Sequence, residues 1–367
     1  MIQYMVAASI AQRVPGCTIS NVVLPDWNIA HPPVPSAGGP ALAIPTQKVD
    51  IEAVAEQLRS GAIERVEITG FGQWMANFPS LDDCRRMFPN RPDQYPGYDD
   101  THLVCNVRGG ETLDARHPQY TLLPIGFYRD LAAATGLRLV FMGQIEDNAY
   151  CNDLRAAFPG AVFRPSEGAI PDFETFRNSH HLVPAISTFS WLAAWLSQAA
   201  TIHLAVNGLF SPVQNREADL IPANDDRYRF HLFPVNYAVP VDAYRNAHAA
   251  LNGGWRLVPP RVVVALRDSP RWPRPVADYA AMFDPAFYIE EYPDIADALR
   301  NGVIDTPWAH FAAFGLFESR KPFRFDVQWY AQTYPMAAFE VGQGDYADMI
   351  QHYLCIGRDR GYRPNPA

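Results

Sequence analysis

Residues 102–111 contain an apolar run that is followed by side chains able to bind an anion. Their sequence, H-L-V-C-N-V-R-G-G-E, predicts a buried strand that ends near Arg108 and a glycine pair. An arginine at a strand end can offer a ligand its planar, permanently charged guanidinium. The alternative is a surface arginine in a glycine turn.

A second segment combines an apolar run, a hydroxyl cluster and a helix-compatible run. Residues 182–186 are apolar, Ser187, Thr188 and Ser190 follow, and residues 191–196 are apolar again. This order predicts a strand, a tight turn and a helix. The start of a helix has unpaired N–H groups and a partial positive charge, which suit an anion. The hydroxyls can cap this helix, bind a phosphate, or do both.

These segments belong to a stretch, residues 100–210, in which predicted strands alternate with predicted helices. Such alternation is typical of a parallel sheet with crossover helices, so we expect an α/β fold. Ligands of such sheets bind beyond the carboxyl ends of the strands. Arg108, Gln144 and Ser187 each follow a predicted strand, and we expect them at one shared edge. Residues 207–240 are aromatic and predicted to be mostly loop, either a packed lid or a base-stacking surface.

Composition limits the possible functions. The chain has 367 residues, enough for two or three domains, and a net charge of −9. That charge argues against a general binder of nucleic acid or of anionic membranes. The five cysteines are far apart and include no C-x-x-C pair, which predicts reduced thiols and a cytoplasmic location. No apolar stretch approaches ~20 residues, so we expect no membrane span, although work at the inner membrane face would fit.

The C-terminal third contains an internal repeat. Residues 259–275 are rich in proline and arginine and are typical of a linker. Beyond them, Phe283-Asp284, Tyr288, His310 and Gly315 recur at an offset of 42 residues. We predict two small helical units that pack on each other or on the rest of the protein. As repeat-framework residues, His310 and His352 are expected to be packed or hydrogen-bonded, with a metal pair as the alternative.

Three motifs in this order resemble the α-1,2- and α-1,6-fucosyltransferases. N-V-R-G-G-E is similar to their H-V-R-R-G-D motif. Residues 172–191 resemble the D-L-x-L-M-S-x-C-K-H-N-I-I-A-N-S-S-F-S-W block of the bacterial α-1,2 enzymes, and the opening M-I-Q-Y resembles the M-F-Q-Y that follows a glycine-rich loop in the family. The resemblance covers about residues 1–240. The motif residues that are kept include Arg108, Asp172, Ser187, Phe189 and Ser190.

The chain also departs from the family pattern at positions where the side-chain chemistry matters. Asn106 replaces a histidine, Gly109 the second arginine, Glu111 an aspartate, and Ile186 an asparagine. The phosphate-binding part therefore matches better than the parts that bind the donor sugar and the acceptor. A glycosyltransferase is indicated more firmly than fucose as the donor sugar.

The resemblance implies a GT-B-like fold with two Rossmann-like domains, here followed by a small, mostly α-helical repeat domain. We predict an acceptor-side α/β domain at 1–100, a nucleotide-sugar-binding domain at 101–256, a linker at 257–278 and a repeat module at 279–367. The repeat module would bind a protein partner or self-associate.

The implied reaction is a metal-independent, inverting glycosyl transfer from a nucleotide sugar, GDP-fucose by resemblance, to a glycan or polysaccharide. Negative charge grows on the leaving diphosphate, and an arginine with N–H and hydroxyl donors can stabilise it. We assign that role to Arg108, with the hydroxyls of residues 187–190 as donors. Glu111 and Asp172 are candidates for the general base, but Asp172 can instead cap a helix. His117 is a further candidate on the acceptor side.

Two alternatives stay open. One is a glycosyltransferase of the same fold with another nucleotide-sugar donor. The other is a non-catalytic glycan-binding or scaffold protein.

Overall fold

A computed structural model describes residues 1–35, 38–115, 117–215, 217–234, 236, 238–251, 253–268, 277–316, 320–342, 346 and 348–366. Its strands are β1 Val22–Leu24, β2 Ile29–His31, β3 Ala41–Ile44, β4 Arg65–Ile68, β5 His102–Arg108, β6 Arg138–Gln144, β7 Val162–Pro165, β8 His181–Val183, β9 Thr201–Val206, β10 Tyr228–Leu232 and β11 Arg256–Val258. Its helices up to residue 268 are α1 Ile2–Arg13, α2 Ile51–Arg59, α3 Leu81–Met87, α4 Ile125–Thr135, α5 Ala149–Ala157, α6 Ala169–Arg177, α7 Thr188–Leu196, α8 Tyr244–Ala250 and α9 Pro260–Asp268. The later helices are α10 Ala277–Ala280, α11 Pro285–Glu291, α12 Pro293–Arg300, α13 Pro307–His310, α14 Val327–Thr333, α15 Pro335–Gly342 and α16 Met349–His352.

A seven-stranded sheet organises the middle of the chain. Its strand order is β11-β10-β9-β8-β5-β6-β7, and every neighbouring pair is parallel except β10 and β11. Numbered from β5, this is the order 3-2-1-4-5-6 of the Rossmann fold, with one added antiparallel strand. The predicted α/β fold with a mostly parallel sheet is therefore confirmed.

The sheet strands are continuously apolar because helices cover both faces. Residues 103–107 of β5 and 139–143 of β6 are all buried. A parallel sheet with crossover helices leaves no face to solvent, which explains runs such as L-R-L-V-F-M in place of alternating polarity. The register pairs Val104 with Val140 on one side and with Leu182 on the other.

The first 100 residues form two small sheets rather than a second large one. The hairpin β1–β2 is antiparallel, and β3 and β4 are parallel with α2 between them. One apolar core includes Met5 of α1, Val54 of α2 and Phe78, and also holds Leu103 of β5 and Val262 of α9. The predicted boundary at residue 100 therefore does not separate two hydrophobic cores.

Two segments differ from the prediction. Residues 228–232, expected in an irregular region, form β10. The segment predicted as a linker, residues 257–278, contains α9, with Val262, Val263 and Leu266 buried. Nearby prolines gave both stretches a loop-like composition, but their apolar side chains join the main hydrophobic core.

The aromatic residues of 207–240 pack in the interior. Phe210, Tyr228, Phe230 and Phe233 are all buried, so the packed alternative holds for them and base stacking does not. Tyr237 lies outside the described residues.

The repeat module has its own apolar core, formed by residues 279–354. The 42-residue offset relates α11 to α14, α12 to α15 and α13 to α16, and both short third helices continue into a π-helical turn, at 311–315 and 353–357. Asp284 caps α11 and its N–H donates to Pro322 O, as Asp326 caps α14 and its N–H donates to Pro364 O.

Each unit of the repeat is centred on a tyrosine, a histidine and a glycine. Tyr288 contacts His310 (Oη to Nδ1, 3.1 Å), and Tyr330 contacts His352 (2.9 Å). His352 also bonds Glu340 Oε2 at 2.9 Å through Nε2. Both histidines are thus packed and hydrogen-bonded, as predicted.

Candidate functional site

The carboxyl ends of β5 and β8 define the candidate site. These two strands are neighbours, yet β5 leads through its helix to β6 on one side while β8 leads to β9 on the other. A crevice forms at such a switch point, and ligands of open α/β sheets bind there. The register aligns Cys105 with Val183, so Arg108 and Ile186 each lie three residues further on at the same edge.

Arg108 is positioned by β6 and by the loop that follows β5. It is in register with Gln144, and Gly109 N–H donates to Gln144 O at 2.9 Å. The guanidinium lies over the ring of Tyr120, 4.8 Å from its centroid. Such stacking orients the planar group through its attraction to the ring face. The strand register places Arg108, Gln144 and the 187–190 turn at the same edge of the sheet.

Gly109 is held too tightly for any side chain. A Cβ there would lie 2.7 Å from both Cys151 Sγ and Gln144 O. Asn148 reinforces this packing, because its Nδ2 donates to Gly109 O at 2.9 Å while its Oδ1 caps α5. The second arginine of the resembled motif has no room here.

The turn before α7 divides its hydroxyl groups between structure and solvent. Ser187 is the N-cap of α7 and its Oγ accepts the Phe189 N–H at 3.3 Å. Ser190 is fully buried and donates to Ala185 O at 3.1 Å, so its hydroxyl stabilises the turn and does not face a ligand. This corrects the prediction that Ser190 binds phosphate, since the hydroxyl points into the turn. Thr188 and Phe189 are accessible at the helix start.

The loops after β5, β8 and β9 meet at this edge. Leu209 N–H donates to Gln119 O at 2.9 Å, and a Cβ on Gly208 would overlap that same carbonyl. It would also lie 3.3 Å from Ile186 Cγ2. The loop after β9 thus contacts the loop that carries Tyr120 and lies next to Ile186, which precedes the 187–190 turn.

Two other predicted residues are largely buried. Asp172 lies in the first turn of α6, 5% exposed, and its Oδ1 accepts the Glu167 N–H at 3.1 Å. The helix begins before Asp172, at Ala169, and its N-cap Gly168 receives no side-chain cap hydrogen bond, so the alternative that Asp172 caps a helix is wrong. Asn106 is 6% exposed, beside Gly143 of β6. Glu111 begins a short 3-10 turn, but its side chain lies outside the described residues, so its role as general base stays a prediction.

The histidines are spread over the molecule. His180 and His181 lie at the amino end of β8, at the opposite edge of the sheet from Arg108. His117 is exposed, with its ring 5.7 Å from that of Tyr120, which keeps it within the site region. Sequence reasoning did not single out His203 and His231, which are buried and in contact (Nδ1 to Nε2, 3.1 Å). Desolvation lowers the pKa of His203 to about 3 and that of His231 to about 4.

A cavity of about 360 Å³ opens beside the start of α7. It lies between the start of α7, residues of α6 and the N-terminal segment. The lining side chains are Met1, Ile2, Gln3, Trp27, Phe71, Gln73, Ile170, Phe173, Thr188, Phe189 and Leu192. The lining residues at 1–3 and 173–192 lie in segments that the sequence indicated, whereas Trp27, Phe71, Gln73 and Ile170 come from stretches that it did not single out.

Three absences apply to the described part of the chain. Within it, no group of three or more histidine, cysteine or acidic side chains is arranged to hold a metal ion. All five cysteines lie there, and none of them forms a disulfide. No helix found there has the length and apolarity that a membrane span requires.

Comparison with protein-family models, curated proteins and solved structures finds no significant match to this chain.

Proposed function

We propose that the protein is a glycosyltransferase that binds the diphosphate of a nucleotide sugar at the carboxyl edge of β5 and β8. One observation carries the proposal. A stacked arginine and the capped start of a helix, from distant parts of the sequence, lie at the switch point of a Rossmann-ordered sheet. The guanidinium of Arg108 and the N–H groups at the start of α7, both at this edge, suit a diphosphate.

In this proposal, Arg108 neutralises the charge that grows on the leaving diphosphate. Thr188 and the first N–H groups of α7 supply hydrogen bonds to the same group. Tyr120 orients the arginine beforehand, which reduces the cost of ordering its side chain. The proposed reaction is inverting and proceeds without a metal ion, as the motif resemblance implies, with a glycan hydroxyl as the nucleophile.

GDP-fucose is the donor that the resemblance implies, and a different nucleotide sugar is the second candidate. The packing of Gly109 favours this second candidate, because the motif's second cation has no space at that position. The finer GT-B arrangement is also part of the proposal. Its support is the parallel unit β3–α2–β4, which faces the large sheet domain through a common core.

Nucleotide binding tests the proposal. The full chain is titrated with GDP, UDP, ADP and CMP while its melting temperature is followed. Arg108→Ala should abolish the shift that the preferred nucleotide gives, and transfer should lose about 2–4 kcal/mol of transition-state stabilisation. Arg138→Ala is the matched control, since Arg138 is exposed at the opposite end of the neighbouring strand β6. Equal shifts in both variants, or no shift with any nucleotide, would refute the proposal.

A further inference from the structure

We infer that the cavity beside α7 binds a neutral saccharide ring, and that this ring belongs to the glycan acceptor. The assignment to the acceptor rests on the proposed function, whereas saccharide binding does not. At about 360 Å³ the cavity falls in the usual range of ligand pockets, about 300–1,000 Å³.

Aromatic rings form much of the cavity wall. Trp27 and Phe173 meet edge to face with centroids 5.9 Å apart, and Phe173 and Phe189 do so at 5.5 Å. The C–H groups of a pyranose carry partial positive charge and pack against the negative face of such rings. A hydrophobic ligand would satisfy the walls as well, but it would leave the polar lining groups without a role.

Polar groups in the same cavity match hydroxyls rather than charges. Gln3, Gln73 and Thr188 offer donors and acceptors side by side, as a hydroxyl group does. Gln3 Nε2 already donates to Gly70 O at 2.9 Å, which turns its amide into a fixed group.

Charge separates this cavity from the diphosphate edge. Among the described residues that line it, none has a charged side chain. A phosphate there would lose its hydration and meet no arginine or lysine, and burial lowers the pKa of the α-amino group of Met1, another lining residue, which favours its neutral form. The edge at Arg108 thus suits the diphosphate, and the cavity suits a neutral ring.

Phe71 is exposed yet held in place. It is 67% exposed, between two constrained glycines. A Cβ on Gly70 would lie 2.5 Å from Pro45 O, and Gly72 has a φ of +66° with Val6 Cγ2 2.7 Å from its own Cβ position. The backbone at Phe71 is therefore constrained, and its exposed apolar ring, which lines the cavity, can cover a ligand.

Saturation-transfer NMR on the full chain tests the inference. The probes are the methyl glycosides of galactose, glucose, mannose and N-acetylglucosamine, with glucuronate and guanosine as counterparts. At least one neutral glycoside should bind, and Phe71→Ala should weaken it about fivefold or more. Phe339→Ala is the matched control, because Phe339 is similarly exposed, at 60%, on the repeat module.

The outcomes separate this inference from the proposed function. Loss of glycoside binding in Phe71→Ala with unchanged nucleotide binding supports the inference. If the chain binds a glycoside but no nucleotide, the cavity is a saccharide site, but it is not the acceptor site of a glycosyltransferase. The inference is overturned if no neutral glycoside binds, if Phe71→Ala binds it like the parent chain, or if guanosine displaces it.

Discussion

Gly315→Ala should destabilise the protein when residue 288 is tyrosine. It should be neutral or stabilising when Tyr288 has been replaced by phenylalanine. In the parent chain, a Cβ on Gly315 overlaps the Tyr288 hydroxyl. Tyr288 is fully buried against Phe283 and Phe311, so its ring has little space to move. We expect an overpacking cost of about 1–3 kcal/mol. This exceeds the gain of about 1 kcal/mol that alanine gives over glycine in a helix, so Gly315→Ala should destabilise the unit.

Tyr288→Phe removes the overlapping atom. It also removes the contact with His310 at 3.1 Å, which costs about 1–2 kcal/mol on its own. In this background the new methyl group lies 3.1 Å from Phe311 Cδ2 and 3.2 Å from Cζ of residue 288, contacts that shifts of a few tenths of an ångström relieve. Gly315→Ala should then be neutral or stabilising by up to about 1 kcal/mol. The coupling energy between the two changes is therefore about 2 kcal/mol.

The assay is hydrogen exchange of the amides in α11 to α13, measured by mass spectrometry on the full chain at increasing urea. This reports the free energy of opening of one unit rather than of the whole protein. The equivalent pair, Gly357→Ala with Tyr330→Phe, serves as an internal replicate because the Cβ of Gly357 meets the Tyr330 hydroxyl in the same way. If Gly315→Ala costs the same free energy with and without the hydroxyl, steric overlap is not the reason for that glycine.

Three further outcomes are expected in urea unfolding. Gly109→Ala should destabilise the protein by about 1–3 kcal/mol and weaken nucleotide binding, because it displaces the end of β5. The control Gly160→Ala should change neither stability nor nucleotide binding, because nothing lies within 4 Å of its Cβ. Burial holds His203 and His231 neutral, so the unfolded chain takes up protons below pH 6.5 that the folded chain does not. Each of the two contributes about 1.6 kcal/mol between pH 6.5 and 5, so their share of the free energy of unfolding should fall by about 3 kcal/mol, and His231→Gln should flatten this slope. Trp191→Phe should cost about 1–3 kcal/mol, because it leaves Leu220 O, now bonded at 2.7 Å, without its donor; no loss would contradict that bond.

The sheet edge was predictable because it depends on the order of local patterns. Strands that alternate with helices place their carboxyl ends together, so Arg108, Gln144 and Ser187 could be brought to one edge without knowledge of the register. The repeat was equally accessible, since identical residues at a fixed spacing imply identical local contacts.

Burial and long-range packing were not predictable in the same way. Nothing local shows that Ser190 turns inward while Thr188 faces outward, because this depends on how the turn meets the sheet. The cavity joins Trp27, Phe71 and Phe189, which are far apart in sequence and have no shared pattern. The helix α9 was missed because its prolines resemble a linker, whereas its buried valines matter only once the sheet is present.

The common core of the N-terminal segment and the large sheet has a kinetic consequence. Phe78 of the N-terminal segment lies against both Trp191 and Trp195 of α7. Separation of the N-terminal segment from α7 would therefore expose large aromatic surfaces to water. Ligand entry into the adjacent cavity would then proceed through its open mouth, with side-chain rearrangement in place of hinge rotation. The association rate constant of the ligand should therefore be high. Solvent viscosity should affect this rate constant mainly through diffusion of the ligand.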